Sequence, residues 1–277
     1  MIIDCHVHVE SGIHVHPEKL LKKLEGSRMD ELVVLSLSPS YYKLWKERDY
    51  SNQERLDNLM AWCEGSDKLH PVYWIDPTEE DAEKQVVEAV ERGVEGFKVI
   101  CSHFYPGDPR AKKVYRRIAE MNRSILFHSG ILWDGLPSSK YNRPAEFEEL
   151  IDIVGLKFAL AHISWPWTDE CIALFGKYQN AYETNGLDTA RMYIDLTPGT
   201  PPIYREEALY RVFKTGYNIE KNIIFGTDNV MHTYDVALSD EYLDRDLEIY
   251  RKLGLSDQVV EDVLKNNVRE FFGFQSK

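Results

Sequence analysis

Eight short apolar runs alternate with amphipathic stretches along the whole of this 277-residue chain. The runs lie at residues 2–8, 32–37, 69–75, 96–100, 125–128, 158–162, 192–196 and 223–227. Helical spacing of apolar residues fills the intervals 17–24, 52–64, 78–92, 111–122, 144–154, 168–178 and 206–215, and 240–252 and 256–272 follow the last run. Several helix starts carry local signals. Asp76-Pro77-Thr78-Glu79-Glu80-Asp81 offers a cap and an acidic first turn, and Arg143-Pro144-Ala145-Glu146 offers proline at the first helical position. Strands that alternate with helices favour a parallel sheet with right-handed crossovers, and at this length the natural closure is a (β/α)8 TIM barrel. With 43% apolar residues the chain can bury a large core without staples, so residues 1–277 are expected to form one α/β domain.

The connections are unequal. Helix-to-strand links are short and polar, as in Glu25-Gly26-Ser27-Arg28 and Arg92-Gly93-Val94-Glu95. Strand-to-helix links at 38–51, 102–110, 129–143 and 229–239 are long and rich in aromatic, proline and glycine residues. Varied loops at one end are what a barrel shows when its site lies at the C-terminal ends of its strands. Tyr41, Tyr42, Trp45, Trp133, Trp165 and Trp167 could wall an apolar pocket there or simply plug loops onto the barrel.

The strand ends carry the chemistry. The first run, Ile2-Ile3-Asp4-Cys5-His6-Val7-His8, ends in two histidines that share a strand face about 6.5–7 Å apart. Run four holds Lys98, run five ends at His128, run six at His162 and run eight at Asp228. Each alone has a dull explanation as a loop cap or a satisfied core histidine. Together, four histidines and an aspartate at converging strand ends form the donor set of a catalytic zinc or manganese site. A second His-x-His, His14-Val15-His16, precedes Pro17 in a loop with no strand periodicity. His103 and His232 sit on strand-end loops, and His70 belongs at the opposite rim.

These motifs resemble the amidohydrolase superfamily, and within it the ACMSD-like, amidohydrolase-related hydrolases and decarboxylases. The likeness runs from Ile3-Asp4-Cys5-His6-Val7-His8 through Gly96-Phe97-Lys98, Phe127-His128-Ser129-Gly130 and Ala161-His162-Ile163-Ser164-Trp165-Pro166-Trp167 to Phe225-Gly226-Thr227-Asp228. Residues 264–272 are similar to the closing helix of that family. The resemblance implies that His6, His8, His128 and Asp228 bind a single divalent ion, zinc foremost and manganese next. It implies that His162 activates water, holds substrate or ligates a second metal. Lys98 departs from the glutamate of nuclease-like members. It reads as a substrate-carboxylate partner, as a carbamate bridging a second metal if carboxylated, or as a salt-bridged core lysine. A bound divalent ion would lower the pKa of its water to ~7, and Asp228 would accept the proton and pass it to the leaving group.

The leading function is hydrolysis of a C–N or C–O bond in an amide, lactam or lactone of a small metabolite. The alternative is non-oxidative decarboxylation of an aromatic or unsaturated acid, with Lys98, Arg143 and Arg205 as candidate partners for its carboxylate. A net charge of −13 and a pI near 5.2 argue against nucleic-acid partners. A metal-dependent nuclease is further disfavoured by Lys98. A non-enzymatic metalloprotein would require a closed site. No apolar run approaches the ~18 residues of a membrane span, and the widely spaced Cys5, Cys63, Cys101 and Cys171 read as reduced thiols. The expectation is a soluble, cytoplasmic enzyme of a small-molecule substrate, with no membrane or nucleic-acid partner and a homodimer as the default assembly.

Overall fold

The computed structural model describes residues 1–274 apart from residues 13 and 45, so Trp45 lies outside the described residues. Nine strands form one parallel sheet: β1 (Ile3–His8), β2 (Glu31–Leu35), β3 (Leu69–Trp74), β4 (Gly96–Val99), β5 (Ser124–Phe127), β6 (Lys157–Leu160), β7 (Arg191–Asp195), β8 (Ile223–Ile224) and β9 (Asn229–Val230). Their order is β8-β7-β6-β5-β4-β3-β2-β1-β9. The two ends of that order are halves of one chain segment. β8 pairs with β7 through Ile194 and Ile223, β9 pairs with β1 through Val7 and Asn229, and the Cys5 amide donates to the Phe225 carbonyl at 3.0 Å between them. The eighth strand is therefore split, and it closes a (β/α)8 barrel.

The crossover helices are α1 (Pro17–Leu24), α2 (Asn52–Cys63), α3 (Ala82–Glu91), α4 (Pro109–Glu120), α5 (Thr168–Gln179) and α6 (Pro202–Lys214), and α7 (Val236–Lys252) follows the last strand. A capping box starts α2: the Ser51 hydroxyl accepts from the Glu54 amide at 3.3 Å, and the Glu54 carboxylate accepts from the Ser51 amide at 2.8 Å. α6 and α7 start four residues before the positions expected from sequence, and two further segments depart from that expectation. Asp76 accepts from the Thr78 amide at 2.9 Å and hydroxyl at 2.7 Å, and this local turn displaces the helix start to Ala82. The interval 144–154 folds as a 3-10 segment over Pro144–Leu150, because buried Phe147, Leu150 and Ile153 recur every three residues and a three-residue turn aligns them.

β1 carries the irregularity that places the site. Asp4 pairs with Leu32 but Val7 pairs with Val34, so β1 holds one extra residue there, a β-bulge. The bulge flips the alternation. Ile3 and Cys5 join Val33, Leu126, Ala159 and Ile224 in the apolar filling of the barrel, and His6 and His8 above them face the same interior. The lower end is plugged by Val268, Phe271 and Phe272 of the closing helix α9 (Asn267–Phe272), which follows α8 (Asp257–Glu261), and by Phe274 just beyond it. Gly96 leaves room for that plug: a Cβ there would lie 2.7 Å from Phe272 Cδ1.

Next to the plug, His70 donates through Nδ1 to Glu95 at 2.7 Å and through Nε2 to Glu31 at 3.1 Å, Glu31 pairs with Arg269 at 2.5 Å, and the His70 ring stacks on Phe274 at 3.8 Å. Burial pulls the His70 imidazole down, but its hydrogen bonds to the two glutamates outweigh this and hold it above its ordinary value. A raised folded-state pKa stabilises the fold below the unfolded value of about 6.5 and loses that contribution as pH rises through the folded value. The melting-temperature difference between wild type and His70→Gln is therefore expected to be largest near about pH 6 and to shrink toward about pH 9. A difference that stays constant with pH contradicts a charged His70.

Candidate metal centre

The site is assembled from the upper ends of five strands and the turns that leave them. His6 and His8 come from β1, Lys98 from β4, and His128 follows β5. His162 follows β6, and Asp228 lies between β8 and β9 with a positive φ of 58°. His6 Nε2 and His8 Nε2 are 3.1 Å apart, and Asp228 Oδ1 lies 3.5 Å from the first and 3.3 Å from the second. One ligand atom from each of these three residues lies within 4.8 Å of the others, and among the described residues no other such group of three is found.

These spacings suit a small cation. A tetrahedral ion with arms of ~2.0–2.1 Å has donor–donor edges of roughly 3.3–3.4 Å. The protonation pattern agrees. His6 Nδ1 faces Asp195 Oδ2 at 2.8 Å, which fixes the proton on Nδ1 and turns the Nε2 lone pair toward His8 and Asp228. Asp195 is held by the Thr197 amide at 2.7 Å. Burial, reinforced by the nearby Lys98 ammonium, pushes the His6 imidazole well below its ordinary pKa, so the ring is neutral. Desolvation opposes the charge on Asp228, but the hydrogen bond from His8 and the proximity of His6 and His162 outweigh it and hold its carboxyl well below the usual range. Lys98 Nζ lies 3.3 Å from His6 Nε2, and burial pulls its pKa down to about 8 against the attraction of Asp228 and Asp195.

His128 and His162 share this cavity without entering the tight group of three. Their ring centroids are 5.0 Å apart, and His162 is 5.5 Å from His6. His128 Nε2 meets the Ile131 carbonyl at 3.3 Å. His162 Nδ1 donates to the Pro198 carbonyl at 2.9 Å, which leaves its Nε2 as the free acceptor. The backbone that delivers His162 is strained: His162, Ile163 and Ser164 have φ of 63°, 50° and 54°, a left-handed run that costs of order 1–3 kcal/mol per residue. Gly199 permits the arrangement, since a Cβ there would lie 2.6 Å from His162 Cβ. Gly199→Ala is expected to displace His162 and lower kcat/KM roughly a hundredfold with only a small change in melting temperature. Unchanged kinetics contradict a role for His162 at the reacting centre.

Above these groups lies a cavity of about 180 Å³ walled by Ile100, Ile131, Leu132, Trp133, Trp165 and Pro198. Its one lysine or arginine among the described lining residues is Lys98. The other cations considered from sequence are committed elsewhere. Arg143 pairs with Glu170 at 2.6 Å and covers Trp167, and the buried Arg205 pairs with Asp246 and donates to the Leu196 carbonyl at 2.7 Å. Tyr41 stacks on His103 at 3.6 Å, and Tyr42 packs on Trp74 at 5.0 Å. His103 bonds Thr78 and Ser102, His14 faces the His232 ring at 6.4 Å, and His16 pairs with Glu18 at 3.4 Å.

Sequence reasoning missed Asp195 and the carboxylate of Asp4. Asp195 ends an apolar strand, Tyr193-Ile194-Asp195, so the strand-end rule that singled out His162 and Asp228 could have found it. Asp4 sits inside the opening motif, but its role depends on a bulge that spacing alone does not reveal.

The comparisons agree with this architecture. An amidohydrolase from Burkholderia multivorans with bound zinc superposes with a TM-score of 0.63 at 13% identity, covering 99% of this chain and 100% of that one. A dihydroxybenzoic acid decarboxylase from Polaromonas with bound manganese gives 0.62 at 10% identity, with 100% and 98% covered. A dihydroorotase from Campylobacter jejuni gives 0.59 at 14% identity, with 100% and 84% covered. No curated protein matches in sequence. No helix among the described residues is long and apolar enough to cross a membrane. The amidohydrolase family profile matches residues 3–274, and the chain belongs to that family.

Proposed function

We propose that this protein is a metal-dependent hydrolase that opens a C–N or C–O bond in a small, mostly apolar cyclic substrate. The observation that carries this reading is the cluster of His6, His8 and Asp228 at a cavity of about 180 Å³ that has apolar walls on one side. His6, His8 and Asp228, with His128 as the fourth donor, would hold zinc, or manganese in its place. Such an ion supplies Lewis acidity toward a carbonyl oxygen and acidifies water. Asp228 takes the proton of the attacking water and returns it to the leaving nitrogen or oxygen. His162, its Nδ1 proton fixed on Pro198, accepts a hydrogen bond at Nε2 and orients the reacting group. Ile131, Leu132, Trp133 and Trp165 offer apolar surface against which the ring would pack.

A second reading rests on Lys98. A buried ammonium at the cavity floor can pair with one substrate carboxylate, as non-oxidative decarboxylation of an aromatic acid would require. Zinc- or manganese-loaded protein should be offered lactones, lactams and cyclic amides beside hydroxybenzoates, with ring opening and CO2 release both recorded. Ring opening without CO2 supports the hydrolase. CO2 release without ring opening overturns it in favour of the decarboxylase, and a metal-loaded protein that turns over neither class favours a binding protein.

A further inference from the structure

The seam that closes the barrel runs directly beside the metal donors, and one buried carboxylate spans it. Asp4 Oδ1 accepts from the His6 amide at 3.2 Å and the Thr227 amide at 2.9 Å. Its Oδ2 accepts from the Thr227 hydroxyl at 2.5 Å and the Tyr234 hydroxyl at 3.2 Å. Asp4 is fully buried, so all four donors address a carboxylate that water does not reach.

The placement is what gives these bonds meaning. The His6 amide belongs to the bulged stretch of β1, where the ladder to β2 is interrupted. Thr227 belongs to the stretch between β8 and β9, where the ladder to the barrel is interrupted as well. Regular pairing therefore lapses on both sides of the seam at the level where His6 and Asp228 must meet. Asp228 follows Thr227 at once and holds a left-handed φ of 58°, a region that residues other than glycine populate sparsely.

We propose that Asp4 is a positioning residue: its carboxylate ties the bulge that carries His6 to the turn that carries Asp228, and so sets the spacing of the metal donors. The proposal rests on the metal-binding reading above. Asp4 touches neither ligand side chain in its bonds to these segments. It acts through the His6 backbone and through Thr227. A ligand framework loosened in this way should bind its ion roughly 10–100-fold more weakly, the range seen when groups supporting metal ligands are removed.

The test compares Asp4→Asn, Thr227→Val, Thr227→Ser and Tyr234→Phe with wild type, using zinc dissociation constants from chelator competition and the visible spectrum of the cobalt-loaded protein. Asp4→Asn turns an amide N–H onto donors that need an acceptor. Thr227→Val removes one hydroxyl and keeps the side-chain shape, so it remains informative if Asp4→Asn fails to fold. The expected result is a zinc Kd raised roughly 10–100-fold with an altered cobalt spectrum in Asp4→Asn and Thr227→Val. Thr227→Ser should keep both at wild-type values, and Tyr234→Phe, whose hydroxyl donates to Asp4 and also meets Thr227, should raise Kd less than Thr227→Val does. Variants that lose thermal stability but keep wild-type Kd and spectrum overturn the positioning role and leave Asp4 a structural residue. Wild-type protein that takes up no stoichiometric zinc or cobalt overturns the metal reading itself.

Discussion

Replacing Asp228 with asparagine is expected to lower kcat/KM by roughly 10²–10⁴, the range for loss of a positioned acid–base group, with a near-native melting temperature. Asparagine keeps the shape and one acceptor oxygen but cannot take a proton. Its effect should therefore fall on kcat more than on KM, since the apolar walls that hold the ring are untouched. Asp228 is suited to the role because it alone belongs both to the three-donor group and to the cavity lining while carrying a full negative charge. The measurement is steady-state kinetics on the substrate class found in the panel above. A variant that retains more than about a tenth of wild-type kcat removes Asp228 from the proton transfer.

The largest expected effect on stability lies outside the cavity. Asp246→Ala should cost about 3–5 kcal/mol, because it strands the buried guanidinium of Arg205 without its counter-charge. Arg205 donates to Asp246 Oδ1 at 3.0 Å and to the Leu196 carbonyl at 2.7 Å, so the pair fastens α6 to α7 and to the turn after β7. That turn carries Thr197, Pro198 and Gly199 against His162, which links the loss of stability to the site. For a chain of this size the melting temperature should fall on the order of 10 °C. A fall of less than about 2 °C contradicts a desolvated charge pair at this position.

Much of this architecture is written in local patterns. The alternation of apolar runs with helical stretches places the first seven strands to within a residue or two, because each strand of a parallel barrel is buried on both faces and shows as a continuous run, whereas the eighth run, 223–227, hides a split into Ile223–Ile224 and Asn229–Val230. The polar residues at run ends stand out for the same reason, and the structure brings His6, His8 and Asp228 together although 220 positions separate the second from the third. What escapes sequence reading depends on partners distant in the chain. Arg143 and Arg205 look available to a substrate until Glu170 and Asp246 are seen to occupy them. Asp195 gains its meaning only when β7 folds against His6 Nδ1. The bulge in β1 is a register event between two strands, and a strictly alternating reading would set Ile3 and Cys5 on the face away from His6 and His8's interior companions. The 3-10 segment over Pro144–Leu150 reads as an α-helix in sequence because its apolar positions also satisfy a coarse helical spacing.

The proposed activity requires a divalent ion gripped jointly by side chains from both ends of the chain, and metal analysis of protein purified without chelator tests this most directly. About one zinc or manganese per chain is predicted, falling to background when His6, His8 or Asp228 is replaced by alanine. Metal content that is absent from wild type, or that survives these replacements, contradicts it.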